Sequence, residues 1–214
     1  MKSLNKFQFE FYFNGWDYFV QEDQAEFEGK SLQEQVSRSQ WSLQVMKEKL
    51  NITPHTFAHS ANRYDSLTTL AVQQFPEFKI WLLGAPNSGL FMLNIAVPVE
   101  SPSGEVLSLE DFISGYLFWQ QATAIVLEVH PRNRASDDYD KFETIYHYLI
   151  DNNRRFATPF GYFAWIQDKD AIEVYWSSQN AVIIDCTKCM YAHDLVFAVK
   201  PEKFIDLDFG IPDF

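Results

Sequence analysis

The chain opens on a strict alternation. Phe7, Phe9, Phe11 and Phe13 are separated by Gln8, Glu10 and Tyr12. Side chains that repeat every second residue share one face of an extended chain, so this stretch predicts a strand with one buried face. The period then lengthens. Ser31-Leu32-Gln33-Glu34 has the form of a capping box, and Val36, Leu43, Met46 and Leu50 recur behind it at helical spacing, which predicts a helix to residue 50. Leu67, Leu70, Ala71 and Phe75 mark a second helix, closed by Pro76. Residues 78–83 and 90–97 are apolar runs joined by Gly84-Ala85-Pro86-Asn87-Ser88-Gly89, and they read as two strands and a turn.

Ser108-Leu109-Glu110-Asp111 supplies an N-cap for a helix through residue 121. Residues 124–129 are almost continuously apolar, the signature of a central strand covered on both faces. A helix is expected over residues 137–152, with Tyr139, Phe142, Tyr146 and Leu149 as its stripe and Asp137 and Asp138 at the positive end of its dipole. The last third reads as short strands at 160–166, 172–176, 182–185 and 195–199. Asp168-Lys169-Asp170 and Ser177-Ser178-Gln179-Asn180 form turns between them, which makes a C-terminal β-meander. The acidic tail carries Leu207, Phe209, Ile211 and Phe214 and is expected to dock on the body.

No Pro/Gly/Ser-rich linker divides the chain, so the expected architecture is one domain over residues 1–214. Its class is α+β: a largely antiparallel mixed sheet of about six to eight strands with helices packed on it. At 214 residues, 47% of them hydrophobic, the chain can bury a core without metal or disulfide staples.

Charge narrows the choice of partners. Seventeen basic against 29 acidic side chains leave a net charge of −12. Nucleic acid is disfavoured, because phosphate neutralisation needs a basic footprint, and anionic membrane surfaces are disfavoured for the same reason. A basic partner is favoured, because opposite fields steer encounter. The N-terminus shows no apolar leader segment. The long uncharged stretch over residues 80–99 is broken by Gly84, Pro86, Gly89 and Pro98. The expectation is a soluble cytoplasmic protein.

Several chemistries leave no trace. There is no Gly-x-Gly, and Gly84 and Gly89 have the phosphate-loop spacing but are followed by Leu90 where a lysine is needed. Ser88 is not in a Gly-x-Ser-x-Gly elbow. His55 and His59 are spaced to share a helix face, but Thr56 stands where a zinc protease carries its glutamate. Cys186-x-x-Cys189 with His193 offers three zinc ligands and lacks a nearby fourth. The plainer reading is that Cys186 ends a buried strand and Cys189 is a bystander. Cys189, His193 and Asp194 make a poor nucleophilic set, since Asp185 and Asp194 oppose a thiolate. Neither a catalytic residue nor a cofactor is assigned.

Two local features remain. His130, Arg132 and Arg134 follow an apolar strand, the place where open sheets bind ligands. There the two arginines would clamp an anion and His130 would move a proton. The plainer reading is charge balance against Asp137, Asp138 and Asp140. The second feature is acidic: Glu22, Asp23, Glu26 and Glu28, then Asp137, Asp138 and Asp140, with Trp16, Tyr18 and Tyr139 beside them. Rings rimmed by carboxylates suit a cationic protein, although acidic loops are often merely solvated and aromatic side chains are usually core. The functional expectation is a non-enzymatic acidic protein that occludes a basic protein partner, in concrete form a bacterial immunity-type inhibitor of a toxic enzyme. The alternative is a small enzyme or ligand-binding protein holding an anion at the 130–134 loop.

Overall fold

The computed structural model of the chain describes residues 10–16, 25–129, 136–176 and 182–190, without the side chains of 61, 136 and 137. The chain forms two compact units, Met1–Phe160 and Gly161–Phe214.

Helix α1 (Leu32–Val45) starts where the Ser31 hydroxyl accepts the Glu34 N–H at 3.3 Å. This satisfies one of the donors that every helix start leaves unpaired. It runs on as a wider π-helical turn, Met46–Leu50, and stops at Asn51, whose backbone is left-handed with φ 53°. The buried face is not the expected apolar stripe. Gln35, Ser39 and Ser42 are buried, Leu43 and Met46 only lean on the core, and Leu50 is exposed. Hydrogen bonds explain part of this inversion. The Gln35 amide donates to the Lys30 carbonyl at 3.0 Å and to Asp65 at 3.3 Å, and the Ser42 hydroxyl donates to the Gly15 carbonyl at 3.3 Å. A polar side chain is cheap to bury when it ties down a turn of the covering chain.

Helix α2 (Ser66–Val72) packs on α1. Its N-cap, Asp65, and Thr68 exchange bonds in a full capping box. Strands β1 (Thr56–Phe57), β2 (Ile80–Leu82) and β3 (Phe91–Leu93) form one sheet in that order, all parallel, with Thr56 opposite Ile80 and Ile80 opposite Phe91. Phe13 extends the sheet by a single parallel bridge to Phe57. Of the alternating phenylalanines, Phe13 is buried and Phe11 exposed, while Phe7 and Phe9 lie outside the described residues. Beneath the sheet sits an aromatic core, in which Phe57 meets Phe13, Phe27, Phe78 and Trp81 at centroid separations of 5.3–5.6 Å.

A second core lies between β4 (Ala96–Pro98), β5 (Val126–Glu128), α3 (Leu109–Trp119) and α4 (Ser136–Asp151), and it buries Val97, Phe112, Tyr116, Ile145 and Leu149. Ser108 caps α3 by accepting the Asp111 N–H at 3.1 Å. In α4 the buried positions are Ile145 and Leu149, with Phe142 beside them, while Tyr139 and Tyr146 are exposed. The apolar stripe is therefore rotated from the expected one.

Four expectations are corrected. No large antiparallel sheet is present among the described residues: the strands fall into sheets of three, two and two, and β1–β2, β2–β3 and β4–β5 are parallel. Residues 84–89 do not make a hairpin turn. Their loop folds back over the Trp81 ring, so closely that a Cβ on Gly84 would overlap it, and the chain re-enters beside the start of β2. Strand β5 is half-buried throughout and, among the described residues, pairs only with β4, so it is not the covered central strand expected. Finally, residues 160–166 are helical, inside α5 (Pro159–Ala171). Their aromatic letters favour strands only where a pleated neighbour exists. Here Pro159 opens a helix at the one position where its missing N–H costs nothing. The Phe160 N–H donates to the Glu10 carboxylate at 2.7 Å, and the His55 ring stacks on Phe160 at 4.2 Å.

In the Gly161–Phe214 unit, β6 (Glu173–Trp176) pairs antiparallel with β7 (Val182–Asp185), Glu173 opposite Asp185 and Trp176 opposite Val182. The expected meander is thus a two-stranded hairpin; residues 195–199 and the tail lie outside the described residues.

Candidate functional site

The site is built outward from a buried acid. Glu26 is 0% exposed. One carboxylate oxygen accepts the Trp16 backbone N–H and the other accepts the Ser60 hydroxyl at 3.2 Å. Gly15 makes the approach possible: its φ is +99°, and a Cβ there would overlap the Glu26 carboxylate. The Gly15 carbonyl in turn accepts the Ser42 hydroxyl of α1. The backbone under Trp16 is therefore held on both sides.

Its ring is not buried. Trp16 is 46% exposed and Trp41, on the outer face of α1, is 56% exposed, and they meet edge to face at 6.3 Å and 63°. Two open clefts flank Trp16. One, of about 510 Å³, lies between the two indoles and Gln33, Glu34, Ser37 and Arg38. The other, of about 530 Å³, is bounded by Tyr12, Asn14, Ser42 and Met46. Glu34 and Arg38 bridge at 3.1 Å on the groove wall. Large rigid rings beside open grooves offer apolar area and π-faces at low entropic cost, suited to a partner's aliphatic or cationic side chains.

The acidic residues are distributed differently from the sequence expectation. Glu22, Asp23 and Tyr18 lie outside the described residues. Glu26 points inward, so it supports the surface without belonging to it. Glu28 is bound by Arg63 at 2.6 Å. Asp138 and Asp140 stand in the first turns of α4 with exposed Tyr139 between them, and the Asp137 side chain is outside the described set.

The anion loop residues His130, Arg132 and Arg134 also lie outside the described residues. Arg154 is engaged elsewhere, donating to the Gln120 carbonyl at 3.1 Å and lying 5.5 Å over the Tyr116 ring. His55 and His59 do not share a helix face, because β1 runs between them. The His55 Nδ1 is 3.1 Å from the Glu77 carbonyl. His59 is 2% exposed, neither ring nitrogen has a hydrogen-bond partner, and it lies against Tyr64 at 4.6 Å and Trp81 at 5.7 Å. Burial lowers its pKa to about 4, so it is a neutral core ring at ordinary pH.

Cys186 and Cys189 are half-buried free thiols. Burial pushes the Cys189 thiol up, and so do Cys186, Asp168 and Asp185, which is the wrong direction for a poised nucleophile. No group of three or more His, Cys, Asp or Glu is arranged for a metal among the described residues, and His193 lies outside them.

Trp41 is the residue that the sequence reading passed over. The signal was present: it falls outside every apolar position of the predicted α1 stripe, and a tryptophan on a polar helix face is unusual enough to flag an interaction surface.

No family model matches the chain, and no curated protein or solved structure resembles it significantly. No helix among the described residues is long and apolar enough to cross a membrane.

Proposed function

We propose that this chain is an acidic binding protein that docks a basic protein partner on the Trp16–Trp41 groove. The observation that carries the reading is the exposed, edge-to-face indole pair standing over a rigid support, in a chain of net charge −12. Interface energy concentrates in a few aromatic anchors, while the surrounding charge sets the rate of encounter. Both parts fit this chain. Trp16 and Trp41 supply the anchors, and Glu22 and Asp23 follow Trp16 closely in sequence. The concrete form is an immunity-type inhibitor acting in the cytoplasm, whose rings and carboxylates cover the cationic cleft of a toxic enzyme in place of its anionic substrate.

Affinity capture followed by titration of the purified partner tests this. The expected result is one stoichiometric basic protein, whose binding weakens as salt rises and is lost in the Trp16→Ala/Trp41→Ala double variant. A partner of acidic or neutral charge, or binding that survives the double variant and is indifferent to salt, would overturn the proposal.

A further inference from the structure

The two cysteines, set aside above as metal ligands, sit in a geometry of their own. Strand β7 ends at Asp185, and residues 186–189 then form a tight turn closed by the Cys189 N–H donating to the Cys186 carbonyl at 3.0 Å. Such a turn holds its end Cα atoms within about 7 Å, and a disulfide needs about 4.4–6.8 Å. Both cysteines on this turn are half-buried free thiols. The turn is also fixed from outside. The Asp185 carboxylate accepts the Thr187 N–H at 2.8 Å, and the Asp168 carboxylate accepts the Met190 N–H at 2.7 Å. Asp168 is itself buried on the C-terminal part of α5, and its backbone carbonyl accepts the Cys189 thiol at 3.5 Å.

We propose that Cys186 and Cys189 form a dithiol–disulfide couple that exchanges with small-molecule disulfides such as oxidised glutathione. Cys189 is tied to Asp168, so Cys186 attacks first. Its thiolate takes one sulfur of the glutathione disulfide, the S–S bond breaks, and one glutathione thiolate leaves. The Cys189 thiolate then attacks the Cys186 sulfur of the mixed disulfide and expels the second glutathione. Two cysteine protons pass to the two leaving thiolates. The dithiol is oxidised by two electrons and one glutathione disulfide is reduced to two thiols. A preset turn favours the second step, because the resolving sulfur is already adjacent and little chain entropy is lost.

The test uses the full chain, incubated with oxidised glutathione at mildly alkaline pH, then acid-quenched, alkylated with maleimide and weighed intact. The wild type is expected to lose the mass of two hydrogen atoms and to resist alkylation at both cysteines. Cys189→Ser should stop as a stable glutathione adduct on Cys186. Cys186→Ser should form its adduct about tenfold more slowly, because the remaining thiol is held by Asp168. Stable adducts on both cysteines of the wild type, cross-linked dimers, or two unreactive thiols would overturn the proposal. So would one tightly held zinc per chain that shields both thiols until it is chelated.

Discussion

The carboxylate of Glu26, wholly buried, accepts the backbone N–H of Trp16, whose indole stands half in solvent. An acid from the most acidic loop thus serves the groove from beneath. Gly15 is the residue that permits it. Gly15→Ala would meet both a positive φ and the Glu26 carboxylate, and should cost about 2–4 kcal/mol, read as a lower urea midpoint at unchanged slope. A midpoint within error of wild type would show that the support is dispensable.

His59 makes stability depend on pH in a predictable direction. Unfolded, its pKa is 6.5; folded, burial holds it near 4. Between those values the unfolded chain binds the extra proton, so stability is full above 6.5, declines as pH falls through the window, and levels off below 4. The whole effect is about 3 kcal/mol. His59→Phe keeps the ring contacts and removes the titrating group, so it should flatten this decline. An identical pH profile in the variant would assign the effect to other groups.

Asp65 ties three segments together. It accepts from the Gly29 N–H at 2.8 Å, the Thr68 N–H at 3.0 Å and the Gln35 amide at 3.3 Å. Burial raises its pKa, but these donors outweigh burial and leave it below the ordinary carboxylate value. Its contribution is therefore present above that ordinary value and is lost as pH falls through the lowered one, below the window of His59. Asp65→Ala should cost about 2 kcal/mol and Asp65→Asn less, since asparagine still caps a helix. An Asp65→Asn variant as stable as wild type would deny the charge any part, and one as damaged as Asp65→Ala would deny the neutral cap any.

Local signals in the sequence proved reliable where the physics is local. Ser31 and Ser108 cap helices because an oxygen one turn from free N–H groups needs no distant partner. The β6–β7 hairpin follows for the same reason, since its strands are neighbours along the chain. What needed a distant partner was illegible. Nothing within residues 160–166 shows that Glu10 will accept the Phe160 N–H. Nothing between β2 and β3 shows that Gly84 will lie against the Trp81 ring or that the two strands will pair parallel. The site divides in the same way. Trp16 stood out by its neighbours in sequence, Trp41 was marked by its place outside the apolar stripe of α1, but Glu26 looked like a surface charge.

Rings and charges should separate in the kinetics of partner binding. Trp41 touches Trp16 edge-on and is largely exposed, so Trp41→Ala removes an anchor while leaving the core intact; the melting temperature should stay near wild type. Truncating a central anchor costs about 2–4 kcal/mol of binding, or roughly 30- to 1,000-fold in affinity, and the loss should fall on the dissociation rate. Glu22→Gln with Asp23→Asn lowers the long-range field without touching the rings. That variant should slow association several-fold, flatten its salt dependence, and leave dissociation nearly unchanged. Glu26 is excluded from the charge variant because its neutralisation would loosen Trp16 and mix the two effects. If the charge variant changes dissociation alone, or Trp41→Ala changes association alone, the division between anchor and steering field fails, and the groove is not where the partner is held.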